Sequence, residues 1–297
     1  MVLLIHPLAA ADERGERLLR DAATEMSFFN FEAAQSGFEA ARNRAEGPGS
    51  ELWREATLGL ALALQSRSPA TPENVAAADG LYRELAEAAP GAPEAARALL
   101  QRGRIAEVRD FGGDAVDLEA ARGFYQEVLD GWPEEDVADE AALRWADTLF
   151  QDYADEASVR EGEAFLSEWV AGRPERPMAP VIHEVLGGIR IDHLGDVRGG
   201  VDALIAADEA GLVDPNAAGL VLWRIASLSD RELGDAETAV DYYRRVIVEA
   251  PRSGRAFSAQ LALEDLRRRR PELGIEIPPL EMLLSDDTGG EAENHTP

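Results

Sequence analysis

One spacing recurs along this chain and restricts its fold more than anything else. A small residue is followed, four positions later, by a large apolar or aromatic one: Ala34/Phe38, Ala78/Tyr82, Ala121/Tyr125 and Ala239/Tyr243. Weaker copies are Gly162/Leu166 and Gly200/Leu204. The starts at 34, 78, 121, 162, 200 and 239 are 44, 43, 41, 38 and 39 residues apart, so the period is near forty. Residues four apart share one helix face. The small member lets a neighbouring helix approach and the large one fills the space beside it. Pro90, Pro133, Pro174 and Pro251 each stand eight residues after the large member, where proline ends a helix because it lacks the amide donor and clashes with the preceding turn. Pro215 is displaced from that offset.

Upstream of each such helix lies a second amphipathic stretch: Asp12–Phe28, Glu51–Gln65, Pro93–Val108, Asp136–Tyr153, Ala179–Leu194 and Ala217–Leu233. Turn signals separate the two: Phe29-Asn30, Gly195-Asp196 and Gly234-Asp235, with longer turns at Ser66–Asn74 and Asp110–Asp117. Ala, Leu, Glu and Arg, all strong helix formers, dominate the composition, and no alternating β-branched run stands out. The expected fold is all-α: a right-handed superhelical solenoid of about six antiparallel helix pairs plus a C-terminal capping helix. The pairs are expected at about 12–48, 51–90, 93–133, 136–174, 178–215 and 217–251, and the cap at 252–270.

These residues resemble the tetratricopeptide repeat family, whose unit is a helix hairpin with a late Ala-x-x-x-aromatic and a closing proline. The sixth unit carries the likeness best, in Trp223, Ala226-Ser227, Gly234-Asp235, Ala239, Tyr243 and Pro251; it departs at Asp230, where a Tyr or Leu is usual. The first unit matches in Asn30-Phe31-Glu32-Ala33-Ala34 and Phe38. The likeness spans about residues 12–251. HEAT-type solenoids have a comparable period, but the Gly-Asp turns and the eight-residue offset to proline favour the tetratricopeptide type.

The formal net charge is −28, and every basic residue is Arg. That excess repels phosphate backbones, so nucleic-acid binding is not expected. Without Cys there is no disulfide, thiolate metal site or Cys nucleophile, and without Lys no phosphate-binding P-loop. No apolar run is long enough to span a bilayer. Val2–Ala11 has two readings, the remnant of a secretory signal lacking its basic start or a docked N-terminus. The first would place the chain in the periplasm or cell envelope, the second in the cytoplasm. From Gly274 onward Pro278-Pro279, Asp286-Asp287 and Gly289-Gly290 predict a disordered acidic tail, 274–297, with an apolar island at 279–284 that folds back or binds a partner.

Little chemistry is legible. His6, His183, His193 and His295 lack metal-ligand spacing, and no cofactor or metal is expected. Gly187-Gly188 and Gly199-Gly200 fall inside helices and predict close helix packing, not a phosphate loop. Glu134-Glu135-Asp136 opens a helix, and Arg267–Arg270 closes one, as the helix dipole favours. Trp53, Trp145, Trp169 and Trp223 are expected in the core.

The resemblance therefore implies a non-catalytic scaffold that binds a peptide or helix of another protein in a groove lined by the first helix of each pair. If Val2–Ala11 is a signal remnant, the chain resembles exported bacterial tetratricopeptide proteins of the cell envelope, which assist outer-membrane assembly or coordinate envelope complexes. Carried over by register, the groove positions are Ile182, Val185, Ile189, Asp192 and His193 in the fifth unit, and Val221, Arg224, Leu228, Arg231 and Glu232 in the sixth. Ile182 and Ile189 fit packing between repeats equally well. The alternatives are a helical-toroid enzyme and a helical-repeat RNA reader, the latter opposed by the charge. The oligomeric state is left open.

Overall fold

The computed structural model describes residues 9–108, 115–151, 155–212 and 215–280, with side chains from residue 13 and, in the last stretch, from residue 218. Among the described residues there are thirteen α-helices and no strand. They are α1 (Ala9–Ser27), α2 (Phe31–Arg42), α3 (Glu51–Ser66), α4 (Pro72–Ala88), α5 (Pro93–Glu107), α6 (Leu118–Gly131), α7 (Asp136–Phe150) and α8 (Glu156–Ala171). Then follow α9 (Ala179–Gly188), α10 (Val197–Ala210), α11 (Pro215–Arg231), α12 (Ala236–Glu249) and α13 (Ala256–Arg269). α9 runs on into a π-helical turn, Ile189–His193. The chain divides into two modules, Met1–Trp169 and Val170–Pro297.

The recurring pair positions the helices as its spacing demands. Ala34, Phe38, Ala78, Tyr82, Ala121, Tyr125, Leu166, Leu204, Ala239 and Tyr243 are all buried. A glycine on a facing helix often makes room for the large member. A Cβ on Gly59 would meet the Phe38 ring at 2.5 Å, and one on Gly103 would meet Tyr125 Cζ at 2.7 Å. In the fifth hairpin Gly187 and Gly200 face each other; Cβ atoms there would meet the opposite backbone carbonyls at 3.2 and 3.0 Å. α4, α6, α8 and α12 all stop just before their predicted prolines. Pro215, by contrast, is the first residue of α11, so it opens the sixth hairpin.

Turn chemistry sets the start of four of the second helices. Asp117, Asp155, Asp196 and Asp235 accept the backbone N–H three residues on, from Ala120, Ser158, Gly199 and Thr238, at 2.9–3.2 Å. Gly195 and Gly234 precede two of these caps with φ of +66° and +65°. Phe29 holds the same place in the first hairpin with φ +60°, a conformation that costs a side-chain-bearing residue about 1–2 kcal/mol.

Within the first module each first helix also touches the next, α1 to α3, α3 to α5 and α5 to α7. Arginines tie successive hairpins to each other: Arg54 to Glu94, Arg104 to Glu140, Arg42 to Glu84 and Arg67 to Glu32. The second module repeats the device with Arg224 and Asp192, Arg245 and Asp208, and Arg269 and Asp230. One link is buried. Glu107 accepts from the Tyr125 hydroxyl at 2.8 Å and pairs with Arg144 of the next hairpin. Burial pushes the Tyr125 phenol far above its ordinary range, and the bond to Glu107 adds to the shift.

The second module closes differently from the expectation of a disordered tail from Gly274. Gly274 turns the chain at φ +56°, and residues 274–280 lie along the end of the module. Ile275 is buried in the same cluster as Val246, Leu263 and Leu266, with Ile277 and Leu280 packed against it. Arg244 Nε donates to the Glu276 carbonyl at 2.9 Å. The acidic composition hid this segment because its apolar residues alternate with polar ones. Leu280 docks; residues 281–297, with the rest of the apolar island and His295, lie outside the described residues, as do residues 1–8 with His6. Of the Val2–Ala11 segment, only Ala9–Ala11 are described, in the first turn of α1.

Candidate functional site

α13 occupies the place that the first helix of a further hairpin would take, and an open groove of about 670 Å³ separates it from α11. Trp223, Leu261 and Ala262 give the groove its apolar lining, with Ser258 beside them. Trp223 is half-buried and packs against the Tyr243 ring, the two planes tilted by 55° with centroids 5.3 Å apart. Leu261 is 49 % exposed, and Phe257, one turn earlier on α13, is also exposed. Exposed apolar side chains on adjacent turns are uncommon on a helix whose other face carries the buried Ala256, Ala259, Leu263 and Leu266.

Charge is sorted along the groove. At one end Arg269 donates to both oxygens of Asp230 at 2.9 and 3.0 Å and to Asp265 at 2.7 Å. Those hydrogen bonds hold the Arg269 guanidinium above its ordinary range. Elsewhere Arg231 is exposed, and the Arg255 guanidinium lies 5.5 Å over the Trp223 ring. Residues 252–270 carry six Arg against Glu264 and Asp265, a net +4 inside a chain of −28. Among the described residues no group of three or more His, Cys, Asp or Glu could hold a metal ion.

The register-derived groove residues divide. Ile182, Ile189 and Val221 are buried, and Leu228 packs half-buried against the second module's core. These four serve packing, because a first helix is covered both by its own partner and by the next hairpin. Arg224 and Asp192 bind each other, Nη2 to the carboxylate at 2.7 and 2.9 Å. Val185, His193, Arg231 and Glu232 are exposed. Only Arg231 lines the groove; sequence reasoning missed Trp223 and Leu261 there. The signal for Leu261 was available, since Phe257 and Leu261 stand outside the apolar line that a cap requires. Trp53 and Trp169 are buried as expected, whereas Trp145 and Trp223 are half-buried.

A second exposed apolar feature sits in the first module. At the α1–α2 turn Phe28 is 75 % and Phe29 79 % exposed, and Phe29 meets Phe31 edge to face at 6.2 Å. Asn30 braces the turn by donating to Glu25 at 2.8 Å. Residues 21–35 hold Asp21, Glu25 and Glu32 and no basic residue.

No family profile and no curated protein matches the chain. Among solved structures it is similar to a Pseudomonas aeruginosa protein, from a study titled as the functional characterization of pilF. The TM-score is 0.53 and the identity 13 %, over 88 % of this chain and 94 % of that one. That protein is a tetratricopeptide-type helical repeat. At such identity the likeness is one of fold, and the chain has an all-α helical-repeat fold of the tetratricopeptide type.

Proposed function

We propose that the chain is a non-catalytic protein-interaction module that receives a segment of a protein in the groove between α11 and α13. The observation that carries this reading is the open apolar strip of Trp223, Leu261 and Ala262, with Arg231 in its lining, Arg255 over the Trp223 ring, and the lining acids Asp230 and Asp265 bound to Arg269, in a chain otherwise strongly acidic. Desolvating an exposed Leu and the edge of a Trp supplies affinity, while the two guanidiniums select an anionic neighbour. The segment accepted is one with an apolar side chain flanked by carboxylates. Val185, His193 and Glu232 are proposed as flanking contacts. Asp192 and Arg224 act by holding successive first helices together, so charge reversal at Arg224 tests packing as well as recognition.

The test is affinity co-purification of the full chain followed by mass spectrometry, beside Leu261→Asp and Arg231→Glu variants. Specific partners should be lost from Leu261→Asp and weakened by Arg231→Glu, with the helical signal unchanged. Equal capture by all three proteins would remove this groove as the site.

A further inference from the structure

Residues 275–280 are held by the second module in the way a peptide ligand is held. After α13 a 3₁₀ turn spans Pro271–Leu273, and Gly274 turns the chain at φ +56°. Ile275 then enters the cluster that contains Val246, Leu263 and Leu266, and Leu273, Ile277 and Leu280 pack against that cluster. The backbone contributes little. Among the described residues, 275–280 make no backbone–backbone hydrogen bond, and Arg244 Nε reaches them through the Glu276 carbonyl at 2.9 Å. Pro278 and Pro279 carry no amide donor and fix their own φ, and a residue before proline favours extended geometry, so the segment is stiffened before it binds. Lifting it would break no backbone ladder. It would bare apolar side chains that any chain offering the same groups at the same spacing can cover again.

The present occupant defines the ligand class: an extended segment with branched aliphatic side chains at its first, third and sixth positions, Ile275, Ile277 and Leu280. We propose that the face fastened by Arg244 is a peptide-binding site, that residues 275–280 are its displaceable occupant, and that the same segment of a second copy takes the seat by exchange. Arg244, Val246, Leu263 and Leu266 are not among the residues lining the α11–α13 groove, so the proposal stands whether or not that groove receives a protein. The exchange is reciprocal, so the pair closes on a two-fold axis and keeps the contacts of the closed chain. The hinge, Arg270–Gly274, is short. Such a tether holds the segment near its own seat at a roughly millimolar effective concentration, so the closed chain prevails in dilute solution and exchange grows with concentration. Each copy carries a charge of −28, so salt favours the pair by screening repulsion. Gly274 sets the balance. Its left-handed φ suits glycine, and a Cβ there would meet nothing within 4 Å. Gly274→Val therefore strains the closed turn without touching seat or segment.

The chain has no Cys, so single cysteines report on the contact directly. Full-length Arg244→Cys and full-length Glu276→Cys are mixed at high concentration and treated with a short thiol–thiol crosslinker. Position 276 of one copy meets position 244 of another only if the segment has changed seats. The mixture should give several times more crosslinked dimer than either chain alone, and more at high salt. Adding Ile275→Asp and Ile277→Asp to the Glu276→Cys chain should abolish the excess. Adding Gly274→Val instead should raise it about tenfold. A fluorescein-labelled peptide of residues 271–280 probes the seat itself. It should bind the full chain carrying Ile275→Asp and Ile277→Asp at least about tenfold more tightly than the wild type, whose own segment competes. The same peptide carrying both Asp should not bind. Circular dichroism checks that each variant folds, and the Gly274→Val arm, with seat and segment intact, decides the matter should the Asp variants fail to fold.

A mixture that yields no more dimer than its single-cysteine parts overturns the proposal, and so does an excess that survives the two Asp or ignores Gly274→Val. Equal binding of the peptide by the wild type and the Asp variant also overturns it, because the peptide then sits elsewhere. If the peptide binds the Asp variant but no mixed dimer forms, residues 275–280 are a fixed clasp of their own chain, and the exchange named here is wrong.

Discussion

Replacing Gly103 by alanine measures how tightly the repeat spacing is enforced. In a helix interior alanine is favoured over glycine by about 1 kcal/mol, and Gly103 lies inside α5. A Cβ there would lie 2.7 Å from Tyr125 Cζ. The ring has little freedom to withdraw: it is buried, its hydroxyl is bonded to Glu107, and Glu107 is bonded to Arg144. Overpacking of this kind costs about 1–3 kcal/mol, and loosening the hydroxyl's bond about 1 more. The net expectation is a loss of about 1–3 kcal/mol. Gly123→Ala is the matched control. It lies in α6 of the same module, exposed, with nothing within 4 Å of where its Cβ would stand, and should gain about 0.5–1 kcal/mol. Urea unfolding followed by far-ultraviolet circular dichroism compares the two. Tyr125→Leu in the Gly103→Ala background should recover part of the loss. Equal stabilisation by both alanines would refute the claim that glycine is needed for the aromatic's approach.

Further perturbations separate the remaining contacts. Tyr125→Phe should cost about 1–2 kcal/mol in thermal or urea unfolding, because it strips a buried carboxylate of a donor. Tyr243→Phe should be neutral or stabilising by up to about 1 kcal/mol in the same unfolding assay, since among the described residues that buried hydroxyl has no partner; burial is also the chief reason its phenol is pushed up to about 12. Phe29→Gly should raise stability by about 0.5 kcal/mol: relief of the left-handed strain exceeds the entropy that glycine gains on unfolding. His183 is held below its ordinary pKa by burial and then by Arg190. The unfolded chain therefore binds the proton more readily than the folded one, and stability should fall as pH drops through about 6.5 and level off below the folded value. Chemical denaturation between pH 8 and 5 should show this slope in the wild type and a shallower one in His183→Gln.

Much of the architecture is legible in the residues because the repeat pattern and the packing pattern are the same thing. Ala78 and Tyr82 recur as Ala121 and Tyr125 because each second helix must admit a neighbour at one position and fill the gap at the next turn. The Gly-Asp pairs mark their turns for an equally local reason, a left-handed residue followed by a side-chain cap. What is not legible depends on several segments at once. The π-helical turn at Ile189–His193 has no composition of its own, and it precedes Gly195 much as an ordinary helix end would. The groove residues were placed by register, yet register does not separate a first helix's exposed stripe from the stripe covered by the following hairpin. Ile182, Ile189 and Val221 fell on the covered side for that reason. Trp223 and Leu261 line one groove only because α13 takes the position of a further first helix, which no single segment reveals.

Where the repeats stop is itself instructive for anyone wishing to lengthen, graft or shorten the molecule. Ile275, Ile277 and Leu280 lay an extended strap over the surface that another hairpin would otherwise use, and Arg244 fastens it through a backbone carbonyl. The strap thereby covers an apolar face of the second module that a further hairpin would otherwise use. Cutting the chain after Arg270 would bare that apolar end and invite stacking of molecule upon molecule, whereas a foreign repeat can be received only by a version from which residues 271–280 have been removed.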